Sequence, residues 1–258
     1  MKFTEMDSLS SSNAKNADLI NDVKKLYGIL NQIVENAGGI RIFKDCDGKM
    51  YWPEKGVYFI LDFDETDKYT GFCPRIVRIG THQIRKNSKV TLWERLKQHK
   101  GTDEGYGNHR ASSFRKDVGI AIIEDQKSKC DTWKGKKNPK NDELKNKETA
   151  IEKKVSDYVA KLGIVVISIN DESSKESDRA FIEKNTIALI AEANRKFDTI
   201  SEKWLGREHT SDKINKTFLW NKDHVNYKFS EREKYFNTLR KYVESTIEEW
   251  KKQAKDSR

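Results

Sequence analysis

The chain has 258 residues, enough for one large domain or two small ones with a substantial core. Its charged fraction of 35%, formal net charge of +9 and pI near 9.2 point to polyanionic partners, nucleic acid ahead of a membrane surface. The longest apolar run, Gly163 to Ile169, is too short to span a bilayer, and the opening MKFTEMDSLSSS has no apolar h-region to mark secretion. Cys46, Cys73 and Cys130 are scattered without CxxC spacing, which argues against a disulfide framework or a zinc site and fits a reducing cytoplasm.

Residues 1–13 are polar and serine-rich and read as a frayed end. From Ala17 to Val34 the apolar residues Leu19, Ile20, Val23, Leu26, Leu30, Ile33 and Val34 recur at helical spacing, and Gly38-Gly39 stops that helix. Gly56 to Leu61 reads as a strand, with Val57, Phe59 and Leu61 on one face and Tyr58, Ile60 and Asp62 on the other. A polar loop leads to a second short strand, Ile76 to Ile79, ended by Gly80. The short connection favours an antiparallel pair, in which Tyr58 and Arg78 can share a face.

Lys86, Asn87 and Ser88 mark a polar loop, after which Thr91 and Glu94 form a capping box that opens a helix at Leu92. Leu92 and Leu96 face inward, while Arg95 and His99, also one turn apart, project from a common patch. A guanidinium that cannot deprotonate beside an imidazole that can suits an anionic substrate undergoing proton transfer, although a solvated basic face has the same pattern. Asn108, His109, Arg110, Ser112, Ser113, Arg115 and Lys116 then form a dense set of phosphate-capable donors. Val118 to Ile123 reads as a strand, and Glu124 to Glu148 as a mobile, lysine-rich surface loop with Trp133 as its one aromatic.

Glu148 to Leu162 is an amphipathic helix, Ile164 to Ile169 a buried strand, and Ser177 caps a further helix. In that helix Glu183, Ile187 and Ile190 share a stripe, so the carboxylate needs a cation, a metal or a surface lysine at the stripe's edge. Trp204, Leu205, Phe218, Leu219 and Trp220 supply core or a substrate wall. A last helix follows, packing through Tyr235, Phe236, Leu239, Tyr242, Val243, Ile247 and Trp250. Without internal repeats or a long Pro/Gly linker, one unit over 1–258 is expected.

The order Gly56-Val57-Tyr58, Arg78-Ile79-Gly80, Arg95 with His99 one turn on, and Glu183 on a later helix resembles the GIY-YIG nuclease family. The first motif stands as GVY and the second as RIG, with Arg78 in place of a tyrosine; His99 is similar to the restriction-enzyme branch. The resemblance implies an α+β fold, a small, mainly antiparallel central sheet flanked by helices. In that frame 1–43 is an N-terminal helical extension, 54–226 the nuclease core with an insertion over 100–144, and 227–258 an added C-terminal helix. It implies a metal-dependent endonuclease acting on DNA, double-stranded DNA first, using Mg²⁺ or Mn²⁺. The oligomeric state is left open, a homodimer being one alternative.

Carried over, Tyr58 contacts or activates the attacking water, Arg95 binds the scissile phosphate and Glu183 holds the metal. His99 is an acid, a base or a phosphate donor. Arg78 contacts phosphate or polarises Tyr58, and His82 takes part of the missing tyrosine's role. Glu152 is the rival metal ligand. Asn221, in its Trp-Asn context, is preferred over Asn194 as the family's asparagine. The segment Asn108–Lys116 and the insertion are the expected readers of nucleic acid.

Overall fold

The computed structural model describes residues 14–82, 90–135, 137–198 and 201–256; the frayed end expected over 1–13 and the loop at Lys86–Ser88 lie outside them. Alternation in two sequence runs builds the centre of a four-stranded antiparallel sheet. Its strands are β1 (Arg41–Ile42), β2 (Gly56–Asp62), β3 (Arg75–Thr81) and β4 (Gly163–Ser168), in the order β1-β4-β2-β3. β2 pairs with β3 and β4, so it is buried along its whole length, which explains why it carries no polar residue before Asp62.

Period-2 alternation divides the core between the two faces of the sheet. Val57, Phe59, Leu61, Val165 and Ile167 join one apolar cluster; Tyr58, Ile60, Ile164 and Val166 join the other. The first face is covered by α1 (Ala14–Asn36), α5 (Asp178–Phe197) and α7 (Arg232–Asp256). The chain's two outer helices pack on each other, so they complete the core of this face. Two polar ties fix them to the sheet. The Tyr27 hydroxyl accepts the Ile76 N–H at 2.9 Å, and Thr246 Oγ1 accepts the Ser168 N–H at 2.9 Å. Among the described residues no helix is long and apolar enough to cross a membrane.

The second face carries α2 (Leu92–Lys100), α3 (Ser113–Asp125), α4 (Asp142–Ala160) and the segment around Trp204–Trp220, which includes the short α6 (Asp212–Asn215). Here the structure corrects two sequence expectations. Val118–Ile123 is not a strand but the middle of α3, which is capped by Ser112 and buried from Phe114 to Ile122 apart from Lys116. A short apolar run has no periodicity that separates a strand from a helix buried on all sides, and the serine cap upstream is what decides it.

Nor is the lysine-rich segment a loop to Glu148, since α4 begins at Asp142 behind the Asn141 cap. Trp133 is fully buried, donates Nε1–H to the Lys116 carbonyl at 3.0 Å and stacks on His109 with centroids 3.7 Å apart. Gly119 of α3 makes room for it, because a Cβ there would stand 2.1 Å from the indole. Replacing Trp133 by Ala is expected to cost about 3–5 kcal/mol in urea unfolding. A solvated loop residue would cost under about 0.5 kcal/mol, so the measurement distinguishes an anchored segment from a loose one.

Candidate active site

The two motif glycines are dictated by close approach. A Cβ on Gly56 would lie 2.1 Å from the Ile167 carbonyl oxygen of β4, so only glycine lets β2 begin there. A Cβ on Gly80 would lie 2.3 Å from Tyr58 Oη and 2.4 Å from Cζ. Tyr58 and Gly80 are cross-strand partners, and the phenol ring lies across the glycine with its hydroxyl end over it. The expected shared face of Tyr58 and Arg78 follows from the same register, which pairs Ile60 with Arg78 one step along.

The hydroxyl meets α2. That helix opens on the predicted capping box, with Thr91 N–H donating to Glu94 Oε2 at 2.6 Å and Glu94 N–H to Thr91 Oγ1 at 3.2 Å. Leu92, Leu96 and His99 point into the core, and His99 has no solvent exposure. Its Nε2 lies 2.8 Å from Tyr58 Oη and its Nδ1 2.8 Å from Ser112 Oγ. Burial, then Arg95, Arg78 and Arg115, hold its pKa well below the usual histidine range, so the ring is neutral.

Arg95 sits half-buried one turn earlier, and among the described residues only its Nη1 is hydrogen-bonded, to Gln98 Oε1 at 2.9 Å and the Ala111 carbonyl at 3.3 Å. Arg78 donates Nη1–H to the Trp220 carbonyl at 2.6 Å and lies over the Phe114 ring at 5.3 Å. Glu183 is half-buried on α5, where the Thr81 backbone N–H at the end of β3 favours its charged form. Burial pushes its pKa up to about 7, against the pull of Arg78 and Arg95 and with a push from Asp223. Tyr58 bonds His99, and the charges of Arg78 and Arg95 act on both His99 and Glu183, so these five residues, spread over 126 positions, lie in one region at the β3 side of the sheet.

Other expected site residues have structural partners. His82 directs Nε2 to the Glu54 carbonyl at 3.0 Å, and its own carbonyl accepts Arg179 Nη1–H at 2.8 Å; burial lowers its pKa to about 4. Asn221 spends its amide on the backbone of the edge strand, with Oδ1 accepting the Ile79 N–H at 3.0 Å and Nδ2 donating to the Ile79 carbonyl at 2.8 Å. With the Trp220 N–H on the Val77 carbonyl at 2.7 Å, this short segment covers an edge that would otherwise expose unpaired groups. Asn194 is likewise engaged, by Tyr69 and the Thr217 carbonyl.

The donor-rich segment 108–116 is mostly turned inward. Arg115 is fully buried, and all its N–H groups are taken by Glu152, Ser156 and the carbonyls of His99, Lys100 and Glu152. His109 gives both its backbone N–H and its Nδ1 to Glu152, at 2.6 and 2.9 Å. Burial opposes ionisation of Glu152, yet His109 and Arg115 hold its pKa below the usual range; the rival carboxylate is thus spent on a structural network. Arg110 makes a forked pair with Glu148 at 2.9 and 2.7 Å, and Lys116 caps the Lys134 carbonyl at 2.9 Å. Asn108 and Ser113 are exposed.

Among the described residues no three His, Cys, Asp or Glu side chains are grouped to hold an ion. A single carboxylate near one backbone donor, with burial opposing its charge, suits a divalent cation that keeps most of its waters. Ser112, Phe114, the Trp220 carbonyl, the Thr81 N–H and Asp223 complete the surroundings. Sequence reasoning had placed Ser112 among phosphate donors; its N-cap position before α3 was the signal for its actual place.

Gly80→Ala is expected to displace the Tyr58 ring and cost about 1–3 kcal/mol through overpacking, with a changed near-UV dichroism spectrum. Gly28→Ala, where a Cβ meets nothing within 4 Å on an exposed helix face, is the control and should stabilise by roughly 0.5–1 kcal/mol.

A family model described as a GIY-YIG domain matches residues 17–249. No curated protein and no solved structure matches the chain. The matched span runs from α1 almost to the end of α7 and includes both glycine-fixed strands and every side chain gathered at their edge. This chain belongs to the GIY-YIG domain family.

Proposed function

We propose that the protein is a metal-dependent endonuclease that hydrolyses DNA phosphodiester bonds, double-stranded DNA being the first substrate to test. The observation that carries this reading is the convergence of a phenol, two guanidinium groups and a single carboxylate at one sheet edge. Hydrolysis of a phosphodiester needs a positioned water, neutralisation of the phosphate charge and relief of charge on the leaving oxygen. Arg95, half-buried and bonded through one nitrogen, is placed to bind the scissile phosphate by a forked contact. Arg78, clamped by Trp220 and Phe114, adds fixed positive charge beside Glu183. Tyr58 orients the water and takes its proton. Glu183 holds Mg²⁺ or Mn²⁺, which when bound polarises a phosphate oxygen and offsets its charge. His99, wholly enclosed, acts through Tyr58 and does not touch phosphate.

Sequence-specific, restriction-like cutting is the finer form of this reading, with the exposed Asn108 and Ser113 and the insertion as candidate base and backbone contacts. One feature favours a second reading, a nucleic-acid-binding module without cleavage: Arg78 stands where the motif's tyrosine would be, and an arginine does not exchange protons near neutral pH.

Plasmid DNA incubated with Mg²⁺ or Mn²⁺ separates the two. The enzyme reading expects nicking or linearisation that is abolished in Glu183→Ala and slowed by roughly 10²–10³ in Arg95→Ala. Salt-sensitive binding with no cleavage by the wild type would establish the binding module. Branched, single-stranded and RNA substrates in the same assay identify a structure-specific or RNA-cleaving enzyme.

The pH dependence has a definite sign. Glu183 has a folded-state pKa of about 7, above the ordinary 4.5, so the folded protein holds a proton there that the unfolded chain has lost. Its contribution to stability is therefore present below pH 4.5 and falls as pH rises towards 7. Metal binding needs the ionised form, so Mg²⁺ should raise the melting temperature more at pH 8 than at pH 6. A Glu183→Gln protein should show no such difference.

A further inference from the structure

A line of hydrogen-bonding groups joins the insertion to Tyr58. Arg115 N–H donates to Ser112 Oγ at 3.2 Å; Ser112 Oγ and His99 Nδ1 are 2.8 Å apart, as are His99 Nε2 and Tyr58 Oη. Ser112 and His99 have no solvent exposure, and the Tyr58 side chain has almost none. Such a line has two possible directions. In one, Tyr58 donates to Nε2, His99 carries its proton on Nδ1 and Ser112 accepts twice. In the other, Ser112 donates to Nδ1, His99 carries Nε2–H and the Tyr58 oxygen accepts.

Two features select the second direction. Ser112 is the N-cap of α3, so one lone pair is engaged by a first-turn N–H, and accepting there strengthens its hydroxyl as a donor onward. The positive end of the α3 backbone dipole also favours protons that point away from the helix. Burial and the charge around the imidazole keep the ring neutral, so it has one proton to place in either direction. Arg95 of α2, Arg78 of β3 and Arg115 of α3 surround it, while Glu152 of α4 is occupied by Arg115 and His109.

We propose that Ser112 is a positioning residue that holds His99 as the Nε2–H tautomer, so that the chain from α3 through Ser112 and His99 ends as a hydrogen bond donated to the Tyr58 oxygen. That bond makes the Tyr58 oxygen an acceptor and frees the phenol's own proton for another partner. Its use in catalysis rests on the nuclease reading. There the Tyr58 oxygen takes a proton from water as its own passes to solvent and the water oxygen bonds to phosphorus. The bond to the leaving sugar oxygen breaks, and that oxygen takes a proton from solvent. Ser112 belongs to the insertion, which thereby becomes part of the site's machinery.

The test is ¹⁵N NMR of protein labelled at histidine, with the His99 resonances identified by their shift in Tyr58→Phe. The wild type should show Nε2 protonated and Nδ1 bare. Ser112→Thr, which keeps the hydroxyl, should preserve that pattern, and Ser112→Ala should lose the single tautomer. A wild-type spectrum with the proton on Nδ1 overturns the proposal, as does an unchanged tautomer in a folded Ser112→Ala protein. Where Ser112→Ala does not fold, the wild-type spectrum decides. If cleavage is established, Ser112→Ala should lower kcat about tenfold with KM unchanged, the factor for one lost hydrogen bond, and Ser112→Thr should restore it. Because the spectrum is read without substrate, an Nε2–H signature in a protein that cuts nothing sinks the nuclease reading alone. A reversed tautomer in a protein that cuts DNA sinks the relay alone.

Discussion

The arrangement depends on a ring lying on a glycine. Tyr58 is fixed because Gly80, its cross-strand partner, has no Cβ to lift the phenol off β3. From that constraint follow the position of Oη, its approach to His99 and the depth at which α2 must pack. A side chain in a central strand, lying flat on its neighbour, loses little further entropy on meeting another group, which is what preorganisation requires.

The segment after α2, through α3, is built into the core of the second face. Its buried Arg115 would be costly without partners, since a charge taken from water must be paired and hydrogen-bonded to be tolerated. Glu152, Ser156 and three carbonyls satisfy every donor, while His109 fills the remaining carboxylate oxygen of Glu152. Such a network adds little net stability but permits only one geometry, so it fixes α3 against α2 and α4. Ser112, at the start of α3, inherits that precision.

Electrostatics divides the site into two roles. Arg78, Arg95 and Arg115 keep His99 neutral, and the first two also favour the charged form of Glu183. Burial nevertheless holds Glu183 near pKa 7, so its ionisation responds to any further positive charge brought to it. A basic rim over a reluctant carboxylate suits a site where an anion and a cation arrive together, as the proposed reaction requires.

Local and periodic features were readable in the chain itself. Alternation gave β2 and its two faces, helical spacing gave α1, α5 and α7, the Thr91–Glu94 box gave the start of α2, and two tripeptides with Arg95, His99 and Glu183 gave the family. These signals depend on neighbours within a few residues, or on motif order, both of which the linear sequence preserves. Tertiary structure decided what depends on contacts between distant residues. It made Val118–Ile123 a helix, because a run buried on every side carries no periodicity. It turned Arg115 and His109 inward and buried Trp133, because a compensating carboxylate and a glycine gap lay elsewhere in the chain. It paired Glu152 with Arg115 and His109, since whether an acid is already paired is a property of the packed protein and not of its own segment.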